Sequence, residues 1–157
     1  SPASRNVSGL RSVKPQKCSR SPPSTVDAGF ESSRIGAELP DGRTLLAGDD
    51  ALALASIAVG AHGLVSVAGN VVPSAMRELL AAARGSDLTR AQEQLSVLLP
   101  LMNALNLEPN PIPIKAALAL AGMTYSTPRL PLLPANDETR ASLRLALQQT
   151  RNIKIHV

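Results

Sequence analysis

Among the side chains that can do acid–base or nucleophilic chemistry, those whose setting bears on a site are Asp49 and Asp50 in tandem, His62, Ser66, Lys115 and the lone Tyr125. Paired carboxylates suit general acid–base work or metal binding. Directly before the helix-forming run Ala51–Val59, they also suit a helix cap, and the cap is the reading expected here. His62 has the titration range of a base. It stands beside Gly63 with no carboxylate partner evident, so it reads as a surface turn histidine. Ser66 lacks the Gly-x-Ser-x-Gly elbow of a nucleophilic serine. Lys115 opens an Ala/Leu-rich run and reads as a partly exposed helix lysine rather than an amine nucleophile. Cys18 is the only cysteine, which excludes an internal disulfide and a Cys-rich metal centre. No metal and no cofactor are expected.

The elements that position these residues centre on Leu45–Asn70. The apolar run Thr44–Ala47 stops at Gly48, and Asp49-Asp50 lead into the helix former Ala51–Val59. Gly60 ends that helix at the left-handed position that suits glycine. Gly63 then opens a β-rich run, Leu64–Val67, bounded by Gly69-Asn70. Strand, helix and strand within about thirty residues make a βαβ unit with parallel strands. Parallel strands need cover on both faces, and the rest of the chain barely supplies it.

Upstream, Pro40-Asp41-Gly42 reads as a turn, after a weak helix near Glu31–Leu39 and before a strand at Arg43–Ala47. Downstream of Asn70 the pattern is helical. Pro73 opens a helix with Ala75, Met76, Leu79, Leu80 and Ala83 on its apolar face, and Gly85 ends it. Ser86-Asp87 caps a longer helix with Leu88, Ala91, Leu95, Leu98, Leu99, Met102 and Leu105 at helical spacing. Pro100 interrupts that pattern and predicts a kink or a local break. Pro109, Pro111 and Pro113 alternate, which predicts an extended, stiff link before a helix from Ile114 to Gly122. Thr127–Pro134 reads as a second extended link. Asn136 caps a final helix, Asp137–Thr150, with Leu143 and Leu147 on its buried side. Arg151–Val157 reads as a polar tail.

At 157 residues the chain can bury a core, built from Leu, Val, Ile and Ala because Phe30 and Tyr125 are its only aromatic residues. The formal charge is +4, but Arg5, Arg11, Lys14, Lys17 and Arg20 all lie within the first 25 residues, which carry no acid. The remainder holds eleven basic against twelve acidic residues, with no basic stripe interleaved with aromatics, so nucleic-acid binding by the body is excluded. No apolar run reaches the roughly eighteen residues needed to span a bilayer, and a cytoplasmic protein is expected. Residues 1–28 are rich in Ser, Pro, Arg and Lys and read either as a disordered tail or as an organelle-targeting segment. The prolines and the absence of an initiating Met argue against the second.

Three motifs carry a resemblance: Leu-Leu-Ala-Gly-Asp-Asp at 45–50, Gly-Leu-Val-Ser-Val-Ala-Gly-Asn-Val at 63–71 and Glu-Pro-Asn-Pro-Ile-Pro-Ile-Lys at 108–115. With Pro-Arg-Leu-Pro-Leu at 128–132, they resemble the C-terminal part of the dihydrodipicolinate synthase and N-acetylneuraminate lyase family over roughly residues 38–150. The resemblance implies an α/β chain, mostly α by content. It would hold the last two β/α units of a (β/α)8 TIM barrel at 38–84 and a three-helix extension at 85–157, behind a disordered or degraded tail at 1–37. It implies a class I aldolase-type lyase that binds pyruvate as a lysine Schiff base and condenses it with aspartate semialdehyde, in lysine and diaminopimelate biosynthesis. Barrel sites lie at the carboxyl ends of the strands. The substrate-binding positions implied are therefore Gly48, which keeps the floor free of side chains, and Val65, whose backbone would lie near the pyruvate carboxylate.

The family's catalytic side chains are not matched. Its Schiff-base strand reads like Asn-Ile-Val-Gly-Leu-Lys. The nearest stretch is Asn6-Val7-Ser8-Gly9-Leu10-Arg11, with Arg11 in the lysine's place and a longer spacing to Gly48. Arginine stays protonated and is not a competent amine nucleophile. Tyr125 falls in the helical extension, away from the family's catalytic tyrosine. No catalytic residue is therefore assigned, and the chain is expected to be inactive alone. The alternative is a non-catalytic module that pairs with a partner chain, or forms an oligomer, through exposed strands and Leu-rich helices.

Overall fold

A computed structural model describes residues 33–123 and 127–150. The elements run in the order α1 (33–38), β1 (Leu46–Ala47), α2 (Ala53–Ala58), β2 (Gly63–Leu64), a 3-10 turn (Ala68–Asn70), α3 (Pro73–Arg84), α4 (Leu88–Leu105), α5 (Ile112–Leu120) and α6 (Asp137–Thr150). The expected basic tail at 1–28 and the polar tail at 151–157 lie outside the described residues.

The sheet is smaller than the sequence predicts. Instead of strands at Arg43–Ala47 and Leu64–Val67, two residues from each side pair in parallel, Leu46 with Gly63 and Ala47 with Leu64. The bonds His62 N–H to Leu45 O (2.7 Å) and Val65 N–H to Ala47 O (2.8 Å) flank the ladder. The second run is cut short because Val67 turns into the 3-10 segment, whose amides find side-chain acceptors instead of a neighbouring strand. Upstream, the Pro40–Arg43 turn forms as expected, with Arg43 N–H donating to Pro40 O and Gly42 at φ +78°.

Helix α4 is the hub: it packs on α3, α5 and α6 and touches α2. Leu79 of α3, Leu98, Leu101 and Met102 of α4 and Leu143 of α6 are fully buried in one shared core. Two members of the expected α4 stripe, Leu88 and Leu99, are exposed instead, since the helix turns its Ala91–Leu98–Leu101–Leu105 side inward. On α3 the inward face is Ala75, Met76, Leu79 and Ala82, with Leu80 and Ala83 at its margin.

The proline expectations need correction. Of the kink or local break expected at Pro100, the break does not occur, since helix α4 is continuous through it. Pro100 and Ser96, whose carbonyl it cannot serve, are both on the exposed face, where water can take the freed acceptor. Buried Leu98, Leu101 and Met102 hold the chain on either side. The 108–113 segment is not extended. It turns, with Ile112 N–H donating to Pro109 O (3.0 Å), a cis Asn110–Pro111 peptide, and Pro111 as the N-cap of α5. Pro113 falls in the first turn, where a missing N–H leaves nothing unsatisfied. The second link also turns, with Leu132 N–H donating to Arg129 O.

Two helices end in the same paired-bond cap, and a third makes one of its two bonds. After α2, Gly60 takes φ +102° while Gly60 N–H meets Ile57 O and Ala61 N–H meets Ser56 O. After α5, Gly122 takes φ +79° with Gly122 N–H to Ala119 O and Met123 N–H to Leu118 O. After α3 the left-handed residue is Ser86 (φ +61°) and not Gly85 (φ −80°), with Asp87 N–H donating to Ala82 O. Helix α6 starts on Asn136, whose Oδ1 accepts Thr139 N–H at 2.8 Å. A serine at φ +61° carries a steric cost that glycine avoids. Ser86→Gly is expected to raise stability by about 1 kcal/mol, measured by urea unfolding, and an unchanged midpoint would remove the strain at that position.

Candidate functional site

The functional geometry is concentrated at the carboxyl ends of β1 and β2. Extending the observed register by one step sets Gly48 against Val65. Ala47 (8% exposed) and Leu64 face the helices. Leu46 and Val65, on the opposite face, are 52% and 64% exposed. Gly63 accommodates Leu46, since a Cβ there would meet Leu46 Cδ2 at 3.1 Å. At Gly48 an added Cβ would meet nothing within 4 Å, and its backbone is not in the left-handed region. Neither packing within the described residues nor conformation requires a glycine there.

The tandem carboxylates divide their work. Asp49 Oδ1 accepts Ala51 N–H (2.9 Å) and Leu52 N–H (3.3 Å), closing the turn that leads into α2. The N-cap of α2 is Leu52, so Asp49 acts one turn earlier than a helix cap. Asp50 does not cap α2 at all. It reaches across to the other strand end, where its Oδ2 accepts Val67 N–H (3.0 Å) and Ala68 N–H (2.8 Å). Its Oδ1 is buried and has no partner among the described residues. A small cavity of about 70 Å³ lies beside it, lined by Gly48, Asp49, Val67 and Asn106 among others. Nothing in the spacing of Asp49-Asp50 distinguishes a local acceptor from a cross-strand one, which is why sequence reasoning missed the second role.

His62 is also more than a turn residue. Its Nδ1 accepts Leu45 N–H at 3.1 Å while its own N–H donates to Leu45 O, so one residue closes both sides of Leu45. Ser66 Oγ accepts Gly69 N–H at 2.7 Å and serves the 3-10 turn. Asn70 Nδ2 returns to the carbonyls of Ser66 and Val67. Lys115 is half-buried on α5, on a helix and not on a strand. Tyr125, Cys18 and the Asn6–Arg11 stretch lie outside the described residues. Among the described residues no group of three His, Cys, Asp or Glu is placed to hold a metal ion. No helix among them is long and apolar enough to cross a membrane.

A parallel βαβ unit with two loops at the strands' carboxyl ends and a helical continuation defines an α/β chain, mostly helical by content. The sequence model of the Dihydrodipicolinate synthetase family matches residues 24–150. The chain belongs to that family. The 4-hydroxy-tetrahydrodipicolinate synthase of Synechococcus elongatus is 42% identical over 119 residues, covering 76% of this chain and 40% of the relative. That of Methanopyrus kandleri is 46% identical over 112 residues, covering 71% and 37%. Among solved structures, dihydrodipicolinate synthase from Aquifex aeolicus superposes with a TM-score of 0.75 at 37% identity, covering 82% of this chain and 44% of that one. The chloride-inhibited enzyme from Acinetobacter baumannii, complexed with pyruvate, gives 0.72 at 34% identity, covering 78% and 42%. The chain thus spans about two-fifths of the length of the curated relatives it matches.

Asp49→Ala is expected to cost about 1 kcal/mol by loosening the turn before α2, with Asp49→Asn recovering most of it. Thermal unfolding of the three proteins checks this, and equal stabilities would remove Asp49 from the turn.

Proposed function

We propose that this chain supplies part of the pyruvate-binding rim of a dihydrodipicolinate synthase-type lyase. The single observation that carries the reading is the unused face of the βαβ unit: Leu46 and Val65 stand open, and Gly48 beside them has nothing within 4 Å of where a side chain would begin. A parallel pair with one open face fits the last two β/α units of a (β/α)8 barrel, with the open face turned to the barrel interior. On this reading β1 to α3, within 38–84, are those units, and α4 to α6, within 85–157, form the C-terminal helical extension.

Gly48 and Val65 then bind substrate through the backbone at the carboxyl ends of the strands. Pyruvate would be held as a Schiff base on a lysine, losing water as the C=N bond forms. The derived enamine would add to the aldehyde carbon of aspartate semialdehyde. Lys115 is the one lysine among the described residues, and its place on a helix does not suit it to that role. The amine therefore comes from a barrel strand outside the described residues. The setting would be lysine and diaminopimelate synthesis in the cytoplasm.

A second reading is a binding module, favoured by the open outer edges of the two-strand ladder together with exposed Leu46, Val65 and Leu88. Its occupant would be a chain that adds strands to those edges.

The test pairs the full chain with the part of the Synechococcus elongatus relative that precedes its matched region. Restored condensation of pyruvate with aspartate semialdehyde supports the lyase reading. After borohydride reduction, mass spectrometry should find the pyruvyl adduct on the relative's portion and none on this chain. Failure to restore activity, where the relative's own C-terminal portion succeeds, sinks the reading. Gly48→Ala is expected to fold with stability within about 0.5 kcal/mol of the unaltered chain. Gly48→Leu should fold equally well and abolish the restored activity, because its side chain fills the rim.

A further inference from the structure

We infer that Asp50 is the positioning residue that holds the two halves of this rim in register. The inference rests on the proposed function for its catalytic consequence and on the hydrogen bonds alone for its geometry. Asp50 lies two residues past Gly48, and the amides it binds begin two residues past Val65. At the other side of the rim, Val65 N–H donates to Ala47 O at 2.8 Å. Ala47-Gly48-Asp49-Asp50 and Val65-Ser66-Val67 therefore form a closed ring, joined at one end by a ladder bond and at the other by the Asp50 carboxylate. Gly48 and Val65 sit inside that ring. The two closures limit how far Gly48 and Val65 can move apart.

Among the described residues, Asp50 is the side chain bonded to the Val67 and Ala68 amides. Ser66 Oγ is engaged by Gly69 N–H, and Asn70 Nδ2 is a donor already bound to carbonyls. Without Asp50, Val67 and Ala68 N–H lose their acceptor at the point where the chain leaves β2. Two N–H groups on one carboxylate oxygen are charge-assisted bonds of the stronger kind. The other oxygen, Oδ1, is buried and bonds nothing among the described residues.

The experiment uses the full chain paired with the Synechococcus elongatus portion described above. Asp50→Ala is expected to raise the KM for pyruvate about tenfold with kcat within about twofold. Asp50→Asn keeps one carbonyl acceptor and should recover most of the loss. Asp87→Ala removes a bond of similar kind at the start of α4, where Asp87 Oδ1 accepts Arg90 N–H, and should leave KM unchanged. An unchanged KM in Asp50→Ala, or an equal rise in Asp87→Ala, overturns the inference. A readout independent of activity comes from the 15N-labelled chain alone. The Val67 and Ala68 amide protons should shift upfield in Asp50→Asn while those of α6 stay put, and unmoved signals overturn the clamp even where no pair is active. If the unaltered chain fails to restore activity, the proposed function falls and the amide measurement still decides on Asp50.

Discussion

A parallel ladder two residues long cannot hold itself together, and that constraint governs the rest of the molecule. Each of its backbone hydrogen bonds contributes about 1 kcal/mol net, while ordering a residue costs about 1–2 kcal/mol of backbone entropy. The pair persists because other groups fix its ends. His62 closes on Leu45 at the amino end through both its amide and its ring, and Asp50 closes on Val67 and Ala68 at the carboxyl end. Between those closures Ala47 is buried and Leu64 packs against the helical core. The sheet is therefore an attachment to a helical body.

That body draws its cohesion from aliphatic packing around α4. Among the described residues, the core relies on Leu, Met, Ile, Val and Ala meeting along several helices at once. Long-range side-chain bonds then fix how the connecting segments leave it. Glu108 Oε1 accepts Asn136 N–H at 3.0 Å, tying the link after α4 to the start of α6, where Asn136 in turn accepts Thr139 N–H. The proline-rich links need such ties because they contribute few donors of their own. The same packing explains why Pro100 leaves α4 whole: the core anchors the helix on both sides of the one residue that cannot donate.

The helices were legible in the sequence because their periodicity, their caps and their buried faces point the same way. Asn136, Asp87 and Gly60 each act at the helix end where their chemistry suits them. The motifs at 45–50, 63–71 and 108–115 carried the family. What was not legible depends on distance through space. The alternation Pro109, Pro111, Pro113 is compatible with an extended link and with a turn entering a helix, and only the packing of Ile112 and Ile114 into the core selects the turn. Gly85 ends α3 as the sequence suggests, while the left-handed residue one place on is Ser86, which composition does not mark. Strand length was overestimated because β-branched residues such as Val65 and Val67 extend a strand pattern past the point where the ladder loses its partner.

The two faces of the sheet also bear on why the candidate site could be found by residue type only in part. Glycine at 48 is unexplained by anything the chain packs against it, and an exposed valine at 65 is unexplained by solvent. On the proposed reading, both belong to a surface that meets a group outside the described residues. Asp50 differs in kind, since its contacts are complete on one oxygen within the chain and cross from one strand end to the other. A residue of that sort leaves no periodic or compositional trace, because what identifies it is the pair of backbone groups it joins. The resemblance of the motifs at 45–50 and 63–71, and not residue type, is what points to Gly48 and Val65. The groups that hold those positions in place become readable only once the two loops are seen side by side.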